Sequence, residues 1–231
     1  MAAVQVIDPR ANPAWDEFVA THPEATVFHT AAWAAVLCET YGYRPRYYVL
    51  AGASGEITAA LPTMLVSSRL TGRRLVGLPF SDLCPPLAHP GADTAALVGS
   101  VLRDAAAGRL SYVEVRGPSP LPLEDHGFKS APWFLRYLVP LDAPLKELEA
   151  RFHPSARRGI RKAEKQLVRV RCTGSAEDLR RFYDLNLETR RGHGLMPQPL
   201  RFFQRIQAHY LASGEGFLLV AEARGRLIAG V

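Results

Sequence analysis

One stretch of the chain alternates apolar and basic side chains at helical spacing: Arg157-Arg-Gly-Ile-Arg-Lys-Ala-Glu-Lys165. It lies within a predicted helix at residues 154–166. Proline at residue 154 favours a helix start, because proline fits the first helical turn. At about 100° per residue, apolar side chains fall on one narrow face and basic side chains on another. The apolar face consists of Ala156, Ile160, Ala163 and Leu167, and the basic row of Arg157, Arg161 and Lys165, extended by Arg158 and Lys162. We predict that this helix packs its apolar face on a core and presents its cations together.

Positive charge is concentrated around this helix. The chain of 231 residues has a formal net charge of +6, whereas residues 151–171 alone carry +7, from eight basic residues opposed by Glu164. Clustered cations of this kind suit phosphate groups or an RNA backbone. The alternative is a solvated helix face, since charge runs usually serve solubility.

Strands and helices on either side of the basic helix follow an order that occurs twice. After it, the pattern predicts a strand at 168–172, helices at 175–191 and 200–212, and strands at 217–223 and 227–231. The first half begins in the same order, with a strand at 4–7, helices at 13–19 and 31–40, and strands at 46–51 and 57–66. Further predicted elements are helices at 94–107 and 144–152 and strands at 74–78, 112–116 and 135–141.

The repeated order predicts an α/β fold with mixed (α+β) sheets, built from two tandem copies of one unit. The first copy covers residues 1–143, and the second covers residues 144–231, which include the basic helix. The sequence stops at Gly230-Val231, inside an apolar strand. We therefore expect the second copy to be truncated at its C-terminus, as in a fragment of a longer protein.

The loop Gly77-Leu-Pro-Phe-Ser-Asp-Leu-Cys-Pro-Pro86 is a candidate ligand loop, because it follows a predicted strand. Loops at strand ends are where α/β proteins place ligand-binding groups, and here they include Ser81 and Asp82. The alternative is a proline-stiffened connection in which Asp82 caps a turn.

Three other side chains allow two interpretations each. Arg116 ends the strand predicted at 112–116, where it either faces a cleft or pairs with Glu114 or another acid. Trp33 and Trp133 are stacking platforms or core anchors, and the size of the indole ring favours the core.

Composition and motifs exclude several other classes of protein. Hydrophobic residues make up 48% and charged residues 22%, no apolar run is long enough for a membrane span, and the N-terminus lacks the features of a signal peptide. Three widely spaced cysteines indicate a reduced, cytoplasmic protein, and seven scattered histidines argue against a metal site. The segment Arg190-Arg-Gly-His-Gly194 resembles an acetyl-CoA pyrophosphate loop but has the wrong spacing and follows a helix.

Taken in order, these motifs resemble the FemAB-type branch of the GNAT acyltransferase superfamily. The motifs are Phe28-His-Thr-Ala-Ala-Trp33, Leu61-Pro62, Leu78-Pro-Phe-Ser-Asp82, the basic helix, Asp178-Leu-Arg-Arg-Phe-Tyr-Asp-Leu, Glu188-Thr-Arg-Arg and Ile228-Ala-Gly. The resemblance spans nearly the whole chain. It implies two GNAT-like domains and a cytoplasmic enzyme that transfers an aminoacyl group from aminoacyl-tRNA to an amino group of a peptidoglycan precursor.

The resemblance also implies which residues bind substrate. The basic helix matches the family's R-x-x-I-R-K-A segment, which singles out Arg157, Arg161 and Lys162, and the first domain contributes Trp33, Ser81, Asp82 and Arg116. Bridge-forming members carry an arginine and, four residues later, a tyrosine that contact the precursor's phosphates. Gln198 and Phe202 stand at those places here.

Two alternatives remain open. The first is an acyl-CoA-dependent GNAT enzyme acting on a small metabolite or polysaccharide, which the departures at Gln198 and Phe202 favour. The second is a non-catalytic module whose basic helix binds RNA or another anionic partner. We expect no tightly bound cofactor, no metal, no DNA partner and no integral membrane segment, whereas the residues identify neither a general base nor an oligomeric state.

Overall fold

The structure is a computed structural model that describes residues 3–52, 54–131, 135 and 137–231. The chain divides into two units, Met1–Ser130 and Ala131–Val231. The predicted boundary after residue 143 stays a prediction. Strands and helices alternate along both units, which confirms the predicted mixed α/β fold.

The first unit contains two sheets among its described residues. The strands are β1 (Ala3–Ile7), β2 (Arg44–Pro45), β3 (Tyr47–Ala51), β4 (Ile57–Leu61), β5 (Met64–Ser68), β6 (Gly72–Val76), β7 (Leu87–Ala88) and β8 (Val113–Glu114). The first sheet has the strand order β1-β3-β4-β7 and is antiparallel throughout, and the second has the order β2-β5-β6-β8 with β6 and β8 parallel. The helices are α1 (Pro13–Thr21), α2 (Ala31–Tyr41) and α3 (Thr94–Ala107).

Capping residues fix the ends of the first two helices. The Asn12 side chain accepts a hydrogen bond from the Ala14 amide at 3.1 Å, and Thr30 accepts one from the Trp33 amide at 3.3 Å. Gly42 ends α2 with a φ of 69°, a conformation that glycine adopts without a steric penalty. These caps explain why the predicted bounds of both helices agree closely with the structure.

Apolar side chains on both sides of the first sheet form the core of this unit. Leu97, Val98 and Val101 of α3 pack with Tyr48 and other residues of β3 and β4. On the α1 side, Trp15 is fully buried and its ring meets the Tyr47 ring edge-on at 4.9 Å. The sheet, packed on both faces, is therefore a rigid support for the loops at its edges.

Two predicted strands are wrong. The strand predicted at 57–66 is two strands, β4 and β5, which belong to different sheets and are separated by Pro62 and Thr63. Proline has no N–H to donate to a ladder, which favours the crossing at this point. Of the strand predicted at 135–141, residues 135 and 137–141 form no strand, because no described strand pairs with them. Arg136 lies outside the described residues, as does Trp133.

The second unit contains one antiparallel sheet among its described residues, built from β9 (Arg169–Thr173), β10 (Leu218–Ala223) and β11 (Arg226–Gly230). The strand order in this sheet is β11-β10-β9. Its helices are α4 (Leu145–Arg151), α5 (Pro154–Lys165), α6 (Ala176–Gly192) and α7 (Leu200–Ile206), which continues as a π-helical turn at Gln207–Leu211.

One face of this sheet carries a small core. Leu218 and Val220 pack with Leu179 and Phe182 of α6. The backbone at Gly230 approaches Phe182 so closely that a Cβ there would lie 2.7 Å from the ring. Glycine at this position therefore permits the contact between β11 and α6.

The apolar face of α5 does not pack on a core, contrary to the prediction. None of the α5 residues is buried, Ile160 is 44% exposed, and Leu167, just after the helix, is 80% exposed. Apart from Ile160 the face within the helix consists of alanine, so burying it would remove little apolar surface from water. All described α5 residues are exposed except Ala163, which is half-buried.

A buried carboxylate ties α6 to the sheet. Asp178 accepts two hydrogen bonds from the Arg171 guanidinium, at 2.8 and 2.9 Å, and two more from the hydroxyls of Thr173 and Ser175. Arg171 in turn reaches Glu222 of β10 at 2.7 Å. Hydrogen bonding to Arg171, Thr173 and Ser175 lowers the pKa of Asp178 well below its ordinary value.

Replacing Asp178 with asparagine is expected to destabilise the second unit by about 2 kcal/mol at pH 7, because the amide cannot accept all four hydrogen bonds. A carboxylate with a lowered pKa stabilises the fold above the unfolded pKa of about 4, and this contribution is lost as pH falls toward the folded pKa. Denaturant unfolding at pH 7 and below pH 4 measures both effects. The exposed Asp184, replaced by asparagine, is the control, with an expected change below about 0.5 kcal/mol. Equal effects of the two substitutions would contradict the stabilising role of the Asp178 hydrogen bonds.

Candidate functional site

Two parallel strands of the first unit end side by side and carry the predicted ligand loop. β6 and β8 pair in parallel, with Val76 opposite Glu114, so their carboxyl ends lie at the same edge of the sheet. The Gly77 amide continues this pairing and donates to the Glu114 carbonyl at 2.8 Å. The loop after β6 and Arg116 after β8 are thereby brought together, as their positions at strand ends led us to expect.

Arg116 holds the loop rather than standing open for a ligand. Its Nε donates to the Glu114 carboxylate at 2.6 Å, and a terminal nitrogen donates to the Ser81 carbonyl at 3.2 Å. Pairing with Glu114 was one of the two interpretations that the sequence allowed for Arg116. Because Glu114 neutralises much of its charge, the guanidinium serves mainly to link the two strand ends by hydrogen bonds.

The Ser81 hydroxyl is also used within the loop. Ser81 is 5% exposed, and its Oγ donates to the Leu78 carbonyl at 2.5 Å. Leu78 itself is fully buried. The hydroxyl thus closes a tight turn over residues 78–81 and points away from solvent.

Asp82 and Phe80 are the exposed residues of this loop. Asp82 makes no hydrogen bond or ion pair with any residue that the structure describes. A carboxylate held at the tip of a fixed loop is suited to binding an ammonium group or a hydroxyl of a ligand. Among the described residues Asp82 caps no turn, and its binding of a ligand stays a prediction.

A buried histidine fixes the far end of the same loop, and the sequence analysis missed it. His29 is fully buried, and its Nδ1 accepts a hydrogen bond from the Thr26 amide at 3.0 Å. Its Nε2 therefore carries the proton and donates to the Pro85 carbonyl at 2.9 Å. Burial lowers the pKa of His29, so the ring stays neutral at pH 7. Its position in the motif Phe28-His-Thr was the available signal, but burial is not visible in the sequence.

Trp33 lies in the core, as its size favoured. It is 6% exposed, and its ring meets the Phe28 ring edge-on at 5.0 Å. In this position it supports α2 and the segment before it. Its predicted contact with substrate stays a prediction.

The basic helix α5 supplies the main cationic surface of the second unit. Arg157, Arg161 and Lys162 are exposed, as are Arg158 and Lys165. None of the five forms an ion pair or a side-chain hydrogen bond within the described parts of the chain. Their spacing of three and four residues places them about 6 Å apart along one side of the helix. Exposed cations without acidic partners are free to bind phosphate groups.

Gln198 and Phe202, which the predicted resemblance places at phosphate-contacting positions, lie in different surroundings. Phe202 is 5% exposed and meets the Phe203 ring at 5.5 Å, so it belongs to the core. Gln198 is half-buried, and its Oε1 has no hydrogen-bond partner among the described residues. The pair therefore offers one amide and no cation.

The described residues form neither a cluster of metal ligands nor a helix suited to a bilayer. Within the described ranges, no three side chains of His, Cys, Asp or Glu come together as metal ligands would. None of the helices that the structure describes has both the length and the apolarity to cross a bilayer.

Comparison with known proteins identifies both a domain and a fold. Residues 150–231 match the acetyltransferase (GNAT) domain family. The crystal structure of FemX is similar to 96% of this chain, with a TM-score of 0.66 and 19% sequence identity. No curated protein matches the chain significantly in sequence. The family match confirms the GNAT part of the predicted resemblance, and the similarity to FemX shows a shared fold. The chain spans 58% of the length of FemX.

Proposed function

We propose that this chain, which has the fold of FemX and a GNAT acetyltransferase domain at residues 150–231, is an acyltransferase that moves an aminoacyl group from aminoacyl-tRNA to an amino group of a peptidoglycan precursor. The FemX fold over nearly the whole chain is the observation that carries the proposal. The nature of the donor and acceptor comes from the resemblance to the FemAB-type branch. Because aminoacyl-tRNA is a cytoplasmic substrate, the proposal includes a cytoplasmic location.

The proposed reaction is direct transfer, without a covalent enzyme intermediate. The acceptor's amine nitrogen attacks the carbonyl carbon of the aminoacyl ester, and an amide C–N bond forms. The acceptor's ammonium group loses one proton to solvent water before the attack. As the ester C–O bond breaks, the second proton lost by the nitrogen ends on the departing ribose oxygen of the tRNA. Such a reaction needs orientation of the two substrates, a route for the proton and hydrogen-bond donors for the developing oxyanion. The acyl donor is a substrate, so no tightly bound cofactor is required.

Each unit contributes one kind of charge to this proposal. In the first unit, the exposed Asp82 carboxylate binds the acceptor's amino group, which is an ammonium ion before it reacts. In the second unit, Arg157, Arg161 and Lys162 contact phosphates of the tRNA. Both assignments rest on exposure and the lack of protein partners within the described residues.

A second candidate is transfer from an acyl-CoA to the amine of a small metabolite or polysaccharide. Gln198 and Phe202 favour it, because together they supply no cation for a precursor's phosphates. In that case the cations of α5 bind the phosphates of coenzyme A. A non-catalytic RNA-binding module is the third candidate, and it would bind RNA with strong salt dependence but transfer nothing.

The acceptor is identified by mass spectrometry after incubation of the protein with aminoacyl-tRNA and a panel of amines. The panel contains peptidoglycan precursors with a free side-chain amine, the same precursors with that amine blocked, and small polyamines. We expect the free-amine precursors to gain one amino-acid residue and the blocked ones to gain none. Modification of the small amines alone would contradict the proposed acceptor.

A further inference from the structure

We propose that Phe80 is a positioning residue, which fixes the Asp82 carboxylate for the acceptor by clamping the backbone of residues 78–82. This inference rests on the proposed function, because it assigns Phe80 to the same acceptor site. Phe80 itself is not a catalytic residue in this proposal. It acts on the acceptor through the loop.

The backbone of Phe80 adopts a conformation that a bulky residue normally avoids. Its φ is 62°, in the left-handed region, and Phe80 is one of four residues other than glycine with positive φ among those described. Glycine would adopt this angle without steric conflict, so phenylalanine here is conformationally costly. Strained residues persist where the surrounding structure determines their conformation, and they cluster at functional sites.

Ring stacking holds Phe80 in this conformation. Its ring stacks on the Tyr41 ring at 4.9 Å with an interplanar angle of 21°, and Tyr41 in turn stacks on Tyr43 at 5.2 Å. Tyr41 is the last residue of α2, so the stack joins the loop to a helix whose other end is capped by Thr30. The stacking of the Phe80 ring thus stabilises the strained backbone of the same residue.

The rest of the turn is anchored from the opposite side. Ser81 donates to the Leu78 carbonyl through both its hydroxyl and its amide, at 2.5 and 3.3 Å. The Ser81 carbonyl accepts from Arg116 at 3.2 Å. Phe80 and Ser81 are therefore both fixed, and the next residue is the exposed Asp82. Fixing the two residues before a solvent-facing carboxylate is expected when the direction of that carboxylate matters.

The test compares Phe80→Gly with Phe80→Tyr. Glycine accepts the positive φ but removes the ring, so we expect the fold to persist and kcat/KM for the acceptor to fall about 10-fold or more, with the KM for the donor unchanged. Tyrosine keeps the stack and is expected to retain activity within about threefold. Leu70→Gly, at a residue that is 96% exposed in the same unit, is the matched control. Equal activity of Phe80→Gly and the natural protein would overturn the inference.

A double-mutant cycle with Asp82→Asn separates positioning from a merely structural role. If Phe80 acts through Asp82, the loss caused by Asp82→Asn should be much smaller in the Phe80→Gly background than in the natural protein. Losses that multiply independently would show that Phe80 does not act through Asp82.

Hydrogen exchange at the Ser81 amide gives a readout that does not depend on activity. We expect exchange to be about 10-fold faster in Phe80→Gly, with an unchanged Tm. An unchanged exchange rate at the Ser81 amide would overturn the inference that Phe80 fixes this loop, even if the protein proved to transfer no acyl group. Faster exchange in a protein without transferase activity would leave the clamp standing and refute the proposed function alone.

Discussion

Replacing Arg157 and Arg161 together with glutamate is expected to lower the affinity for aminoacyl-tRNA by about 100-fold at low salt. The two substitutions remove two phosphate contacts and place two negative charges against a polyanion. Both residues are exposed and lack partners within the described chain, so the fold should not change. A binding titration at several salt concentrations measures the affinity and its salt dependence. The slope of log K against log salt should become shallower by roughly 2, which is about one per lost contact.

A matched control separates local contacts from the overall charge of the protein. Arg69 and Arg103 are exposed residues of the first unit, and their replacement by glutamate changes the net charge by the same amount. We expect this control to weaken binding by less than about fivefold, since long-range effects are screened by salt. Equal weakening by both double variants would mean that α5 has no special role in RNA binding.

Replacing Asp82 with asparagine is expected to reduce kcat/KM for the amine acceptor by about 100-fold, with little effect on the donor. Asparagine has the same shape, but it cannot form the charged hydrogen bond that a carboxylate makes with an ammonium group. Because Asp82 is exposed and unbonded among the described residues, the stability of the protein should stay within about 0.5 kcal/mol. Steady-state kinetics with each substrate varied in turn, together with thermal unfolding, measures both expectations.

Asp125 supplies the control for this substitution. It is also an exposed carboxylate of the first unit, but it lies away from the strand ends, in the short 3₁₀ helix at Glu124–His126. Asp125→Asn should retain full activity. If Asp82→Asn also retained full activity, the acceptor would have to bind elsewhere on the molecule.

The helix positions could be predicted because local signals determine them. Proline or a capping side chain begins α1, α2 and α6, and the helix predicted at 94–107 is α3, at Thr94–Ala107. Such signals act within a few residues, so the sequence displays them directly. Strand ends were less certain because partners distant in sequence decide them. The interruption at Pro62 and Thr63 depends on which sheet each strand joins.

The candidate site could be predicted in part. The positions of Asp82 and Arg116 at strand ends predicted ligand groups. The parallel pairing of β6 with β8 places the loop that carries Asp82 beside Arg116, which donates a hydrogen bond to the Ser81 carbonyl. The burial of His29, the strain at Phe80 and the use of the Ser81 hydroxyl inside the turn depend on tertiary contacts that no local pattern displays. The exposed α5 was misjudged for the same reason, since amphipathic spacing does not reveal whether a core is present to receive the apolar face.

The central claim, acyl transfer from aminoacyl-tRNA to an amine, is tested most directly by a competition between two labelled donors. Aminoacyl-tRNA labelled in the amino acid and acetyl-CoA labelled differently in the acetyl group are offered together with peptidoglycan precursors that carry a free amine. We expect the amino-acid label to appear in the precursor and the acetyl label to remain with coenzyme A. Transfer of the acetyl label alone would contradict the tRNA donor, and transfer of neither label would contradict the proposed function.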